Sequence, residues 1–235
     1  ADGAHVIASH AADLAEAGCR SVSLTGGEPL VRPDWPVVAR RLADLGVSVK
    51  IVTNGVLVDD ATVGRMVEAG VSGVAVSIDG PREIHDEMRV PAARMGSRYE
   101  AAVRAIGLLV GSGLKTAVIT QVHGKNVDVL DDMHETIAGL GVDAWQVQLA
   151  FPTGRMSRAG AGWLVDPADL PALQATLARL ARGGKVRVVV ADNIGYYGQD
   201  EPCLRMGLTG SATFWTGCMA GVLGVAIASN GDVKG

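Results

Sequence analysis

The stretch Ala12–Pro29, "ADLAEAGCRSVSLTGGEP", contains the unit from which the whole chain is built. An alanine- and leucine-rich amphipathic run ends at Gly18. A short extended run follows through Leu24, and Gly26, Gly27, Glu28 and Pro29 then stand at its tip. The glycine suits the residue after a helix, which often takes a left-handed conformation that costs glycine nothing. The same succession returns around Gly46 ("RRLADLGVSVKIVT"), Gly70 ("GRMVEAGVSGVAVS"), Gly113 ("IGLLVGSGLKTAVIT") and Gly141 ("ETIAGLGVDAWQVQL"). The extended runs are nearly continuously apolar, which predicts strands covered on both faces. Repeated helix–glycine–strand units predict parallel strands joined by right-handed crossovers. A sixth strand, Lys185 to Ala191, is expected after a helix near Pro167–Arg182. Either an open doubly wound sheet or a (βα) barrel, complete or partial, satisfies this pattern. The chain opens on a helix, about His5 to Ala17, so a further strand is expected upstream.

Composition narrows the class. Hydrophobic residues make up 48% of the 235 and charged residues 20%, enough for a sizeable core and too apolar for disorder. The net charge of −4, with lysine and arginine scattered, disfavours nucleic-acid binding. No apolar run reaches the ~18 residues of a membrane span and no signal-peptide pattern opens the chain, so a cytoplasmic protein is expected. Three widely spaced cysteines make no disulfide framework.

Past Ala191 the rhythm stops. "DNIGYYGQDEPCLRMGLTGSATFWTGC" reads as a loop-rich linker, and "VLGVAIASNGDVKG" as a hairpin turning at Asn230-Gly231. The expected division is a barrel over 1–191 and a linker with the start of a second module over 192–235. A second hairpin strand cut off almost at once predicts a fragment, truncated at both ends.

In either parallel architecture function gathers at the carboxyl ends of strands. Those ends read Thr25–Pro29, Thr53-Asn54-Gly55, Ser77-Ile78-Asp79-Gly80, Thr120-Gln121 and Leu149–Gly154. Each set alone reads equally as a polar turn; together on one rim they favour a ligand site. Gly26 and Gly27 leave the backbone free of Cβ atoms, and Pro29 stiffens the edge and pushes Glu28 toward extended geometry. Backbone carbonyls and a carboxylate without adjacent lysine or arginine suit an ammonium group better than a phosphate. A plain Gly-Gly turn with a solvated glutamate is the alternative.

"LTGGEPL", with "VTNG" and "VSIDG" on the next two strands, resembles the radical S-adenosylmethionine (SAM) superfamily over roughly residues 1–155, in order and spacing as well as motif. The resemblance implies a partial (βα)6 barrel that here lacks its first strand. It assigns Gly26, Gly27, Glu28 and Pro29 to the methionine amino group of SAM. Ser77 and Asp79 resemble ribose and carboxylate contacts, Asn54 lines the same face, and Arg89 resembles a carboxylate-binding arginine. Gln121 and Leu149 are implied near the ribose and adenine. The family's C-x3-C-x2-C motif, which holds a [4Fe–4S] cluster, has no counterpart among Cys19, Cys203 and Cys218. Its place is expected upstream of Ala1, and this chain alone should not cleave SAM.

The tail "WTGCMAGVLGVAIASNGDVKG" is similar to the opening of a SPASM or twitch extension. That similarity makes Cys218 a ligand of an auxiliary iron–sulfur cluster, thiolates flanking a hairpin being well placed for one. Cys19 reads as core and Cys203 as a linker thiol. His85 and Asp86 read as a polar loop facing water rather than an acid/base pair. Tyr196 and Tyr197 fall at the boundary of the two modules, and Met133, Met156 and Met206 read as gap-fillers. The implied activity is reductive cleavage of SAM to a 5′-deoxyadenosyl radical that abstracts hydrogen from a peptide or protein substrate. Such a maturase of ribosomally made peptides or sulfatases draws its electron from a flavodoxin or ferredoxin. The rival readings are a SAM enzyme of small molecules, a cluster-less SAM- or peptide-binding module, and an ordinary TIM-barrel lyase. The strand tips offer no lysine for the last.

Overall fold

The computed structural model describes residues 10–89, 96–152, 161–191, 194, 198–210, 214, 217–228 and 231–234. Helix α1 runs through 10–16 and leads into strand β1 (Ser21–Leu24). Then come α2 (Trp35–Asp44), β2 (Ser48–Thr53), α3 (Asp60–Glu68), β3 (Val71–Ser77), α4 (Arg82–Met88) and α5 (Arg98–Gly111). They are followed by β4 (Thr116–Val122), α6 (Leu130–Gly139), β5 (Ala144–Leu149), α7 (Leu170–Gly183), β6 (Arg187–Val190) and α8 (Glu201–Thr209).

Helices α3 and α5 start where a side chain satisfies one of their first free amides. Asp59 accepts from Thr62 N at 2.8 Å ahead of α3, and Ser97 Oγ from Glu100 N at 3.2 Å ahead of α5. The expected glycine stops are all left-handed, from φ 74° at Gly141 to 85° at Gly18. At Gly70 packing adds a second demand, because a Cβ there would lie 2.9 Å from the Ala43 methyl.

All six strands form one parallel sheet in the order β1-β2-β3-β4-β5-β6. A doubly wound sheet reverses direction at a switch point. Strict sequential order has none, so the chain winds as a barrel does, and with β1 and β6 unpaired to each other the barrel is partial. Among the described residues this sheet has six strands, with Ser21–Leu24 at one edge.

Register shows how the sheet is layered. Val49, Ile51, Val74, Val76, Val118, Trp145, Val147 and Val188 share one face, each at most 5% exposed, and meet Leu42, Met66, Ile106, Leu109, Ile137 and Leu177 from the helices. The opposite face carries Ser48, Lys50, Ala75, Ala117, Gln121, Gln146, Gln148 and Arg187, all partly or fully exposed. The expectation of strands covered on both faces is corrected: one face is buried and the other half open. Ser, Gly and Ala on the open face hid the alternation, since small residues read as compatible with burial.

Residues past 191 also differ from the expected linker. Pro202 in the first turn and left-handed Gly210 at the end delimit α8. The helix packs on β6 and α7 through fully buried Leu204, while Arg205 caps the Val190 and Ile194 carbonyls at 3.3 and 2.9 Å. The packed body thus continues to the end of α8. Beyond it, β7 (Ala226–Ile227) and β8 (Val233–Lys234) form the expected antiparallel hairpin, short and exposed, with Gly231 at φ 89°. Asn230, Tyr196, Tyr197, Gly154 and Met156 lie outside the described residues. Met133 is buried as expected, whereas Met206 is 51% exposed and fills no gap.

Candidate functional site

Glu28 is built into the β1–β2 rim rather than idle on a turn. Its Oε1 accepts from Thr53 Oγ1 at 2.8 Å and, more weakly, from Leu30 N at 3.3 Å; its Oε2 accepts from Asn54 N at 2.8 Å. Pro29 opens the short 3₁₀ turn Pro29–Val31 that Glu28 caps. One carboxylate therefore fastens the tip of β1 to the tip of β2. Just before it, Gly26 sits at φ 124°, a conformation strained for any residue with a Cβ, and Gly26 and Gly27 are exposed. Among the described residues their backbone groups take part in none of the turn hydrogen bonds. Asn54 closes the β2 tip by accepting Val56 N at 2.9 Å, and Gly55 follows at φ 80°. A Cβ on Gly55 would lie 3.0 Å from Ala102 Cα of α5, so the tip rests directly on that helix.

The β3–β4 rim is organised around Asp79, which is fully buried. Its Oδ1 accepts from Gln121 N at 3.0 Å and its Oδ2 from Arg89 Nε at 2.5 Å. Its own N–H donates to His85 Nδ1 at 3.0 Å, and its carbonyl accepts from Asn126 Nδ2 at 2.7 Å. Both carboxylate oxygens are thus committed within the protein, and Asp79 holds Arg89 in place rather than facing a ligand. The guanidinium is partly exposed, and its Nη groups have no protein partner among the described residues. Ser77, 8% exposed, ends β3 on the open face of the sheet.

Asn126 was not singled out from the sequence, yet it joins two expected site residues. Fully buried, it donates to Asp79 O and to Gln121 O at 2.8 Å while its Oδ1 accepts His123 N at 2.8 Å. The sequence offers one hint, an asparagine ahead of a helical run. Beside it, the His123 ring packs on Trp163 at 4.9 Å between centroids, and Lys125 Nζ lies 4.3 Å above the Trp163 ring while pairing with Glu87. Gly124 allows this crossing: a Cβ would stand 2.6 Å from Gly162 O and 2.8 Å from Leu164 O.

His85 corrects the expectation of a loop facing water. It lies in α4 with no exposure, its Nδ1 taken by Asp79 N–H and its Nε2 buried without a partner among the described residues. Burial pushes its pKa down to about 4, so the ring is neutral at physiological pH. Burial lowers His123 likewise. Asp86, adjacent in sequence, accepts Tyr99 N at 2.9 Å and steadies the start of α5.

Not every expected residue joins the rim. Leu149 is registered with Val122 on the helix-covered face, packed against the core. Cys19 donates weakly to Ser21 O at 3.4 Å and packs against the core as expected. Cys203 stands on α8 with its Sγ 4.0 Å from Ala178 O, and Cys218 is exposed ahead of the hairpin. Among the described residues no three His, Cys, Asp or Glu side chains could hold a metal. The described residues by themselves therefore do not provide the full ligand set of an iron–sulfur cluster. The exposed Gly-Gly backbone could receive an ammonium, and the arginine braced by Asp79 a carboxylate.

Several curated proteins are similar in sequence to this chain. The AdoMet-dependent heme synthase of Oleidesulfovibrio alaskensis is 34% identical over 148 residues, 62% of this chain and 37% of the relative. Mycofactocin maturase MftC of Mycolicibacterium smegmatis is 32% identical over 165 residues, 63% of this chain and 40% of the relative. The chain thus spans well under two thirds of either protein. Streptococcus suis SuiB bound to its precursor peptide SuiA shares the fold at a TM-score of 0.76 and 17% identity, over 100% of this chain and 52% of SuiB. Residues 4–137, more than half of the chain, match the model of the Radical SAM superfamily, and the chain belongs to that family.

Proposed function

We propose that the chain is the SAM-binding core of a radical enzyme that modifies a peptide or protein. The observation that carries this is the Glu28 brace, which holds an unbonded Gly26–Gly27 backbone open at the tip of β1. In this reading the Gly-Gly carbonyls receive the ammonium of SAM and Pro29 keeps the edge rigid. Arg89, oriented by Asp79, receives its carboxylate, with Asn54, Ser77 and Gln121 lining the ribose side. Leu149, on the helix-covered face, supports the β5 tip from behind. When bound and reduced, SAM supplies a carbon-centred radical that abstracts hydrogen; the protein's part is to orient it and shield it from water. The electron comes from a carrier such as a flavodoxin or ferredoxin.

The barrel, expected over residues 1–191, then carries α8 packed on its last strand, and the segment after α8 connects to an auxiliary iron–sulfur module with Cys218 among its ligands. The peptide class rests on relatives whose names describe peptide work, among them MftC and a PqqA peptide cyclase of Streptomyces rochei, 27% identical over 193 residues. The heme synthases, at 34% identity, support a second reading in which the substrate is a small tetrapyrrole.

The test is anaerobic reconstitution of the full-length protein with iron and sulfide, followed by reductant and SAM. The expected product is 5′-deoxyadenosine. Its absence, with the cluster confirmed spectroscopically, overturns the reading. Gly26→Val should abolish SAM binding, and unchanged affinity would remove the Gly-Gly cradle from the site.

A further inference from the structure

The open face of the sheet near the rim carries side chains that neither the brace nor the arginine latch uses. Gln121 and Gln148 are direct cross-strand partners on β4 and β5, and Gln146 stands on the same face one step lower, opposite Ile119. All three are partly buried. Only main-chain atoms of Gln121 are hydrogen-bonded, and the three carboxamides have no partner among the described residues. One step lower still, Ala75, Ala117 and Ala144 are in register across three strands, a floor of methyl groups beneath the amides.

The charges of this face stand elsewhere. Lys50 is in register with Gly73 and Arg187 with Ala144, both below the glutamines, and the Asp79 carboxylate is held by Arg89. The rows Ser77–Ile119–Gln146–Val189 and Gln121–Gln148 are therefore neutral. A carboxamide offers two N–H donors and a carbonyl acceptor without charge, the same complement a peptide group presents. Half-buried amides left unmet when a ligand expels water cost free energy, so they select a ligand that meets both functions. A tetrapyrrole with several carboxylates would want guanidinium or ammonium groups in those rows instead.

We propose that Gln146 and Gln148, beside the ribose-lining Gln121, form a neutral subsite that reads a backbone amide of a peptide substrate above the Ala75–Ala117–Ala144 floor. The inference rests on the peptide-modifying reading for its substrate class, and not on SAM being bound.

The experiment uses the full-length protein and two probes, acetyl-tetra-alanine amide and its fully N-methylated counterpart, each titrated with and without SAM. Native protein should bind the plain peptide about tenfold or more tighter, the loss of two amide hydrogen bonds being of that order. In Q146L/Q148L the preference should fall to about twofold or less while SAM affinity stays the same. Q146M/Q148M, which keeps the side-chain length and removes both donor and acceptor, gives the same comparison if the leucine variant does not fold. A preference that survives both substitutions overturns the proposal, as does failure of the plain peptide to bind. Hemin bound in competition with the peptide, and weakened by the same substitutions, would also overturn it in favour of a tetrapyrrole. Native protein that discriminates the peptides but does not bind SAM would refute the SAM reading and leave the subsite standing.

Discussion

Replacing Glu28 separates a braced loop from an incidental carboxylate. The side chain accepts two bonds of 2.8 Å, from Thr53 Oγ1 and Asn54 N, and one long bond from Leu30 N that contributes little. Hydrogen bonds to a charged group contribute about 1.5–3 kcal/mol each, and Thr53 is only 2% exposed, so water replaces its partner poorly. Glu28→Ala should therefore cost about 3–4 kcal/mol. Glu28→Gln keeps an acceptor for Thr53 but turns its NH2 toward the Asn54 N–H, donor against donor, and should cost about 1–2 kcal/mol. The assay is urea unfolding of the full-length protein followed by far-UV circular dichroism. With a slope of about 2–3 kcal/mol/M, the midpoint should fall by roughly 1 M for alanine and about half that for glutamine. The two variants also differ in what they leave behind, since only alanine frees the 3₁₀ turn of its cap. An alanine midpoint within about 0.2 M of native would refute the brace. Equal losses for alanine and glutamine would show that shape, not hydrogen bonding, holds the loop.

Gly124→Ala should force apart the 161–164 segment and the β4–α6 connection, since the new methyl would meet two carbonyl oxygens at 2.6 and 2.8 Å. The expected cost is about 1–3 kcal/mol, with a changed near-UV signal as Trp163 leaves His123; an unaltered spectrum would contradict the crossing. Acid should weaken the fold through His85, whose pKa is 6.5 when unfolded and about 4 when buried. Above pH 6.5 both states are neutral and stability is full. As pH falls, the unfolded chain binds the proton first, and about 3 kcal/mol is lost by pH 4. Histidine NMR should show the His85 ring titrating near pH 4, and a midpoint near 6.5 would overturn its burial.

Much of this rim could be read from one sequence because glycine and proline punctuate it. "TGGEP", "TNG" and "SIDG" interrupt apolar runs abruptly, so the strand tips and their polar residues stood out. What escaped was direction and depth. The alternation in "AWQVQL" was masked by the apolar runs around it, and Leu149 looked like a rim residue until its register with Val122 put it on the helix-covered face. His85 sits among charged neighbours in "REIHDEM", a pattern that predicts exposure, and only the α4–α5 packing turns it inward. Asn126 resembled any loop asparagine, because its three partners are contributed by residues from two strand ends. Helix α8 was hidden by flanking glycines that prove to be its boundary.

The sequential strand order has a consequence for how the chain is made. Each strand finds its parallel partner within a few tens of residues, so every βα unit can dock on the one already formed as synthesis proceeds. Pairings of this kind keep sequence separation short for a parallel sheet, where long loop closures ordinarily slow folding. Within this sheet β1 is then the first strand made and β6 the last. A cofactor pocket spread over the tips of β1 to β4 would be assembled before α7, β6 and α8 are complete.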